Sequence, residues 1–375
     1  MDSKATLKEI ARLFLKLGFI GFGGPAAHIA LMQQEVVVKR QWLSEQHFLD
    51  LLGATHLIPG PNSTEMAIHI GHEKSGWKGL IVAGLCFIFP AVFITGILAW
   101  LYQQYGQLPE AQPFVYGIKP AIIAIVLGAI FPMAQKALKS TALIIIGVLV
   151  LLLSLLNVGE IYLLFGAGFL ALLWTTIKSN TKFNVLMPLP LLQVTQTTLL
   201  SATNTNLFWI FLKIGAILYG SGYVLVAFLD TELVATGLLS RQTLIDAIAV
   251  GQFTPGPVFS AVTFIGYQIN GLTGAMVSTI AIFLPSFVFV ALLNPLVKLM
   301  RNSTLFSAFL DAINVASVAV IIAICIDMGK ETITDWRTIV ISVLSMVIVI
   351  RFQKINSAFV VLGGAVLGYL LWLIP

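Results

Sequence analysis

Long apolar runs, interrupted at a few defined places, dominate the chain. Leu80 to Trp100, Thr141 to Leu156 and Val315 to Ile326 carry no period-two alternation, so they predict helices and not the strands of a barrel. Six such elements precede a polar stretch and six follow it. The first six read as Leu7 to Val38 (interrupted at Gly21-Phe22-Gly23-Gly24-Pro25), His47 to Ile70, Leu80 to Tyr102, Ile118 to Met133, Thr141 to Leu156 and Ile161 to Ile177. The later six read as Leu207 to Val234, Leu244 to Ile269, Leu272 to Leu299, Phe306 to Met328, Thr338 to Ile350 and Ala358 to Ile374. Lys178 to Asn206, rich in Asn, Thr, Gln and Pro, reads as a linker. The pattern predicts an all-α polytopic membrane protein with an N-terminal repeat (1–177), a polar linker (178–206) and a C-terminal repeat (207–375).

The second element of each half carries the same interruption. Pro59-Gly60-Pro61, followed by Asn62, Ser63, Thr64 and Glu65, sits inside an apolar run, and Pro255-Gly256-Pro257 returns downstream, followed by Val258, Phe259 and Ser260. Proline removes a backbone donor and disfavours helix just upstream, so each motif predicts two half-helices meeting at a break. Asn62, Ser63 or Thr64 is expected to cap the helix that follows the first break.

The halves align as an internal repeat. Phe14-Leu15-Lys16-Leu17-Gly18 matches Phe211-Leu212-Lys213-Ile214-Gly215 at an offset of 197 residues, and Glu35 matches Glu232 at the same offset. Leu43-Ser44 then pairs with Leu239-Ser240, Asp50 with Asp246, and Gly71, Gly76, Gly79 and Pro90 with Gly266, Gly271, Gly274 and Pro285. Loops at equivalent places swap in Lys and Arg content: Lys39-Arg40 and Lys74 to Lys78 are basic in the first half, whereas Gln268 to Thr273 carries neither residue. This predicts two inverted homologous repeats, with about ten transmembrane helices plus a broken, re-entrant Pro-Gly-Pro helical hairpin in each half. That scheme places the N-terminus outside, against the preference of Lys4, Lys8 and Arg12 for the cytoplasm. An interfacial first turn, or a first element that folds back, would reconcile the two.

Composition agrees: 58% of the 375 residues are hydrophobic, only 10% are charged, and mean hydropathy is +0.97. The net charge of +5 fits basic cytoplasmic loops better than nucleic-acid binding. Lys8, Arg12 and Lys16 with no A-x-A site argue that the first hydrophobic element is retained and not cleaved as a signal. Cys86 and Cys325 lie in separate apolar segments and are expected to pack and not to pair.

Candidate chemistry concentrates at the repeated features. A lysine at membrane depth costs roughly 2.5–3.5 kcal/mol on insertion scales, so Lys16 and Lys213 need partners or a task, unless they snorkel to the interface. The glycine clusters containing Gly23 and Gly24, and Gly220 and Gly222, allow irregular backbone with exposed amides, or close helix packing. The half-helices that begin at the breaks offer free N–H groups and a positive dipole end, which suit an anion. Asn62, Ser63, Thr64 and Ser260 add side-chain donors there. The repeated acids Glu35, Glu232, Asp50 and Asp246, and the unrepeated Glu65 with Ala261 opposite, are candidates for a coupling proton. The sequence does not choose among them; Glu35 and Glu232 are carried forward, and an acid at Glu65 could equally serve only to complement the helix dipole. His56, His69 and His72 do not form H-E-x-x-H and are not repeated, so no metal site and no cofactor is expected. A G-x-x-x-x-G-K-[ST] signature is also missing, which points to an ion gradient and away from ATP hydrolysis in this chain.

At these motifs the sequence resembles the chromate ion transporter family, in its long two-domain form. The resemblance is carried by Phe22 to Pro25, Trp42-Leu43-Ser44, Pro59-Gly60-Pro61-Asn62, Gly76-Trp77-Lys78-Gly79 and their second-half counterparts, and it covers nearly the whole chain. It implies a multi-pass protein of the bacterial inner membrane that exports chromate and confers resistance. The residues themselves indicate an anion without separating chromate from sulfate, and an anion channel or, less readily, a membrane-embedded enzyme would share the same architecture. The expected partners are a small oxyanion and the lipid bilayer, with no nucleic acid; a homodimer is compatible with the sequence, which does not determine the oligomeric state.

Overall fold

In the computed structural model, residues 5–22, 24–106, 108–156, 158–179, 203–219, 222–301, 303–352 and 355–374 are described. Gly23, Gly220 and most of the expected linker, 180–202, lie outside the described residues. Among those described, fourteen α-helices and no strands are found. The first half holds α1 (Leu7–Ile20), α2 (Gly24–Gln33, continued by a π-helical turn Gln34–Lys39), α3 (Glu45–Thr55), α4 (Asn62–Tyr105), α5 (Gln112–Ala137), α6 (Thr141–Leu155) and α7 (Glu160–Ser179). The second holds α8 (Asn204–Ile217), α9 (Val224–Leu229, with a π-helical turn Asp230–Val234), α10 (Arg241–Phe253), α11 (Ala261–Arg301, preceded by a 3₁₀ turn Val258–Ser260), α12 (Thr304–Thr332), α13 (Trp336–Arg351) and α14 (Ser357–Trp372).

Local chemistry accounts for the helix starts. Thr6 and Glu9 form a capping box at α1, and Ser44 and Ser240 cap α3 and α10 by accepting from the amides of His47 and Thr243. The repeated Leu-Ser pairs are therefore helix caps. Among the described residues five helices are long and apolar enough to cross a membrane, and α6 and α14 are shorter apolar helices. On α4, Ile81, Leu85, Phe89, Phe93 and Ile97 recur at every fourth position and stand exposed, as do Met276, Ile280, Leu284, Val288 and Leu292 on α11. An exposed apolar stripe of this length suits lipid and not water. The fold is that of a multi-pass helical membrane protein.

The first element of each half does not run straight through. α1 has only 14 residues, roughly 21 Å at 1.5 Å per residue, short of a bilayer core. Beyond α2, Arg40 lines one cavity with Lys8, Glu9 and Arg12 at the start of α1, so the element doubles back. Of the two expectations for the N-terminus, a first element that folds back is the one observed. The element is two short arms and not one continuous helix, because α1 ends at its cap Gly21.

Two helices also reverse on themselves. α4 breaks at Ser75 and Gly76 and α11 at Asn270 and Gly271, both glycines at φ 58°. The arms on either side touch through glycine: a Cβ on Gly79 would overlap the Gly71 carbonyl, and one on Gly274 the Gly266 carbonyl. Helix α1 packs on α4 and α8 on α11 in the same manner, with Gly18 against the Phe87 carbonyl and Gly215 against that of Ile282. Gly79→Ala and Gly274→Ala are expected to lower the thermal midpoint of the detergent-solubilised protein, at a cost of about 1–3 kcal/mol each. Gly96→Ala, where a Cβ meets nothing within 4 Å, is the control and should leave the midpoint unchanged in the same melt.

Candidate functional site

The two Pro-Gly-Pro segments are genuine breaks. Helix α3 ends at Thr55 and α4 begins at Asn62; α10 ends at Phe253 and the helical path resumes at Val258. Sequence reasoning gave the cap of α4 to Asn62, Ser63 or Thr64, but Pro61 is the cap residue and no side chain caps it. The Pro61 carbonyl accepts from the amides of Thr64 and Glu65, at 2.8 and 3.1 Å. Proline serves here because its fixed φ suits the helix entry and it has no N–H to leave unpaired. Pro257 occupies the same place in the second half, where its carbonyl accepts from the Ser260 amide.

Each break is completed by the other half. The Gly60 amide donates to the Leu218 carbonyl at 2.8 Å, and the Gly256 amide donates to the Gly21 carbonyl at 2.7 Å. Leu218 and Gly21 are the caps of α8 and α1, where the first element of each half stops. Gly60 stands at φ 135° and Gly256 at φ 88°, backbone that side chains rarely adopt. A Cβ at Gly256 would also lie 2.9 Å from that of Ala91. The Gly60 and Gly256 amides, expected as donors to a ligand, are thus used between the halves. Gly24, at φ 80°, opens α2, and Gly222 lies near Val258 and Phe259 of the second break.

Around the breaks the polar groups are buried. Pro59, Gly60, Pro61, Ser63, Thr64, Pro255, Gly256, Pro257 and Ser260 are inaccessible, and Asn62 is half-buried. Thr95 on α4 donates to Ser260 at 3.3 Å, and Ser286 on α11 donates to Glu65 at 3.4 Å, so each long helix supplies a hydroxyl to the opposite break. Thr64 Oγ1, Glu65 Oε2 and both ring nitrogens of His69 are buried without a partner. His28 meets the Gly21 carbonyl at 2.8 Å through Nε2.

The repeated charges are joined in pairs. Lys16 Nζ lies 2.9 Å from Glu35 Oε1, and Lys213 Nζ lies 2.6 Å from both Glu232 oxygens. Lys39 and Arg40 also reach Glu35, at 3.0 and 3.6 Å. Both lysines thereby staple the two arms of the first element in their half. The constant offset of Lys16, Lys213, Glu35 and Glu232 in the sequence contained this pairing. Ser286, Thr95 and His28 were not singled out, although each is a polar residue within an apolar run; Glu65 was noted only as an unrepeated acid in the first turn after the break.

These broken helices enclosing buried polar groups in an apolar helical body define a membrane transporter and not a soluble fold. Comparison with known proteins gives the family: the chain belongs to the chromate transporter family, whose model matches residues 8–172 and again 205–369. It is 30% identical to the chromate transport protein of Cupriavidus metallidurans over 97% of this chain and 92% of that protein. It is also 30% identical to a probable chromate transport protein of Synechococcus elongatus, over 98% and 96% of the two chains. The identity to a chromate transport protein of Pseudomonas aeruginosa is 26%, over 96% and 91%. No solved structure matches the chain.

If Lys213 and Glu232 act as a pair, Lys213→Met and Glu232→Met should each lower the thermal midpoint, and the double replacement should restore part of the loss. The coupling expected from the three melts is about 0.5–3 kcal/mol.

Proposed function

We propose that this chain is a secondary transporter of chromate, moving it out of the cell across the bacterial cytoplasmic membrane and so conferring chromate resistance. The observation that carries the proposal is the pair of crossed hydrogen bonds, Gly60 to Leu218 and Gly256 to Gly21, by which each buried break is bonded to the other half. The names of the full-length relatives supply chromate as the oxyanion. Sulfate has the same charge and shape, and the buried hydroxyls of Ser63, Thr64 and Ser260 would serve either ion.

In this proposal the two repeats, 1–177 and 207–375, have opposite orientations in the bilayer. Support comes from where the reversals lie. The first reversal, at Ser75, hydrogen-bonds to Ala5, beside the basic start of α1. Next to the second reversal, Gln268 donates to the Ala99 carbonyl, which is 23 residues from Gly76 and so roughly 35 Å along the helix. Each half would then hold two re-entrant hairpins and four crossing helices, with the basic cluster of Lys8, Arg12 and Arg40 on the cytoplasmic face. One half rocking against the other would expose the centre to each side in turn. The first turns of the half-helices, with Asn62, Ser63, Thr64 and Ser260, would hold the anion. Lys16 and Lys213 would add a positive field tempered by Glu35 and Glu232.

Uptake of radiolabelled chromate into inside-out vesicles, with sulfate as competitor, tests the proposal. The wild type should show saturable uptake, and Gly60→Ala and Gly256→Ala should reduce it at least about tenfold, since about 1.4 kcal/mol of strain at the centre already corresponds to that factor. Lys16→Ala and Lys213→Ala should reduce it as well; full flux in both would remove the lysines from the site. Non-saturating flux would indicate a channel.

A further inference from the structure

We propose that Glu65 is a proton-binding residue of the transport cycle, its carboxyl occupying the first break in alternation with the oxyanion. The inference rests on the transport function proposed above and adds to it the residue that couples anion movement to protons. Glu65 lies in the first turn of α4, yet its side chain turns back toward the break: a Cβ added at Gly60 would overlap Glu65 Oε1. The carboxyl is fully buried, and among the described residues Oε1 receives only the Ser286 hydroxyl at 3.4 Å and Oε2 has no partner. It therefore occupies the position that a helix N-terminus offers to an anion, at the seam where the Gly60 amide crosses to the other half.

No cation among the described residues compensates it. Among the described residues Glu65 is in no ion pair, and Lys16 and Lys213 are committed to Glu35 and Glu232. The groups that face it are Ser286 on α11 and the phenol of Tyr219, which is near enough to sense its charge; His69 stands one turn further along α4. On the other elements packed against α4, His28 of α2 is held by the Gly21 carbonyl, His47 of α3 pairs with Glu73, and Asp246 of α10 accepts from Tyr102. A charged carboxylate in this setting is unfavourable, and a proton removes that cost. A dianion entering the same space cannot coexist with an ionised Glu65. The carboxyl must be neutral or displaced, so its protonation and the occupancy of the break are linked. The proton would be taken from water on one side and released to water on the other as the centre changes access.

The test uses the full chain in proteoliposomes with radiolabelled chromate, under an imposed pH gradient and without one, beside infrared spectra of the same protein. The wild type should show flux that responds to the gradient, and a protonated-carboxyl band that changes on adding chromate or sulfate. Glu65→Gln, neutral and nearly isosteric, should lose the response of flux to the gradient and lose the band. Ser286→Ala, which leaves the carboxyl in place, should displace the pH midpoint of flux. A Glu65→Gln protein that keeps its response to the gradient overturns the proposal, as does a band unaffected by the substitution. If the wild type moves no chromate, the substrate assignment fails, and the infrared comparison still decides Glu65: a band lost in Glu65→Gln and altered by sulfate supports it, and an unchanged spectrum overturns it.

Discussion

A helix that stops inside an apolar body leaves amides and carbonyls with no water to bond, at a cost of several kcal/mol for each unsatisfied group. Helices α1, α8 and α10 stop at the buried Gly21, Leu218 and Thr254, α3 stops at Thr55 just before the buried Pro59 break, and the rest of the structure depends on how these interruptions are satisfied. Two of the bonds cross: an amide from each proline break meets the carbonyl where the opposite half's first helix ends. Neither half can satisfy these groups alone. The centre is therefore shared, and the glycines at 60 and 256 allow the backbones to meet there without side chains between them.

The same constraint explains the lysines. A lone lysine at membrane depth is costly, and the partner in each half is a glutamate 19 residues downstream on the returning arm. The pairing fixes the two arms against each other. In the second half the glutamate offsets the lysine's charge, whereas in the first Lys39 and Arg40 leave Glu35 outnumbered. For the transport function proposed above, the positive end of each half-helix would add its own attraction for an anion at the breaks.

Much of this was legible in the sequence because duplication writes each important feature twice. The proline breaks, the Leu-Ser caps, the glycines at both reversals and the charges at 16, 35, 213 and 232 all recur at nearly constant offsets. The extents of α6 and α7 follow from apolar runs bounded by polar residues, whereas α5, from Gln112 to Ala137, extends beyond the apolar run Ile118 to Met133 at both ends. Contacts between halves were not legible, since nothing in a pattern of periods says that the Gly60 amide meets Leu218. The doubling back of the first element was left open for a related reason: Leu7 to Val38 is long enough to read as one span, and only the packing of Arg40 beside Lys8 and Arg12 distinguishes a hairpin. Features present in one copy only were undervalued, because the repeat supplied the criterion for importance.

Those single-copy features separate the two breaks. Glu65 faces Ala261 in the alignment, His28 faces Leu225, and Ser63 faces Phe259. Phe259 is buried, with its ring 6.3 Å from that of Phe283, and the second break resumes through a 3₁₀ turn before α11 starts. An aromatic ring in that position fills with carbon the volume that the first break lines with hydroxyl and carboxyl groups. Two-fold architecture supplies the crossed backbone bonds, for which both copies must keep glycine and proline. A polar pocket needs only one copy, which leaves the other free to become packing. The divergence thus follows from what each contact requires: backbone geometry must be matched on both sides, whereas side-chain chemistry at a shared centre can be contributed by one side alone.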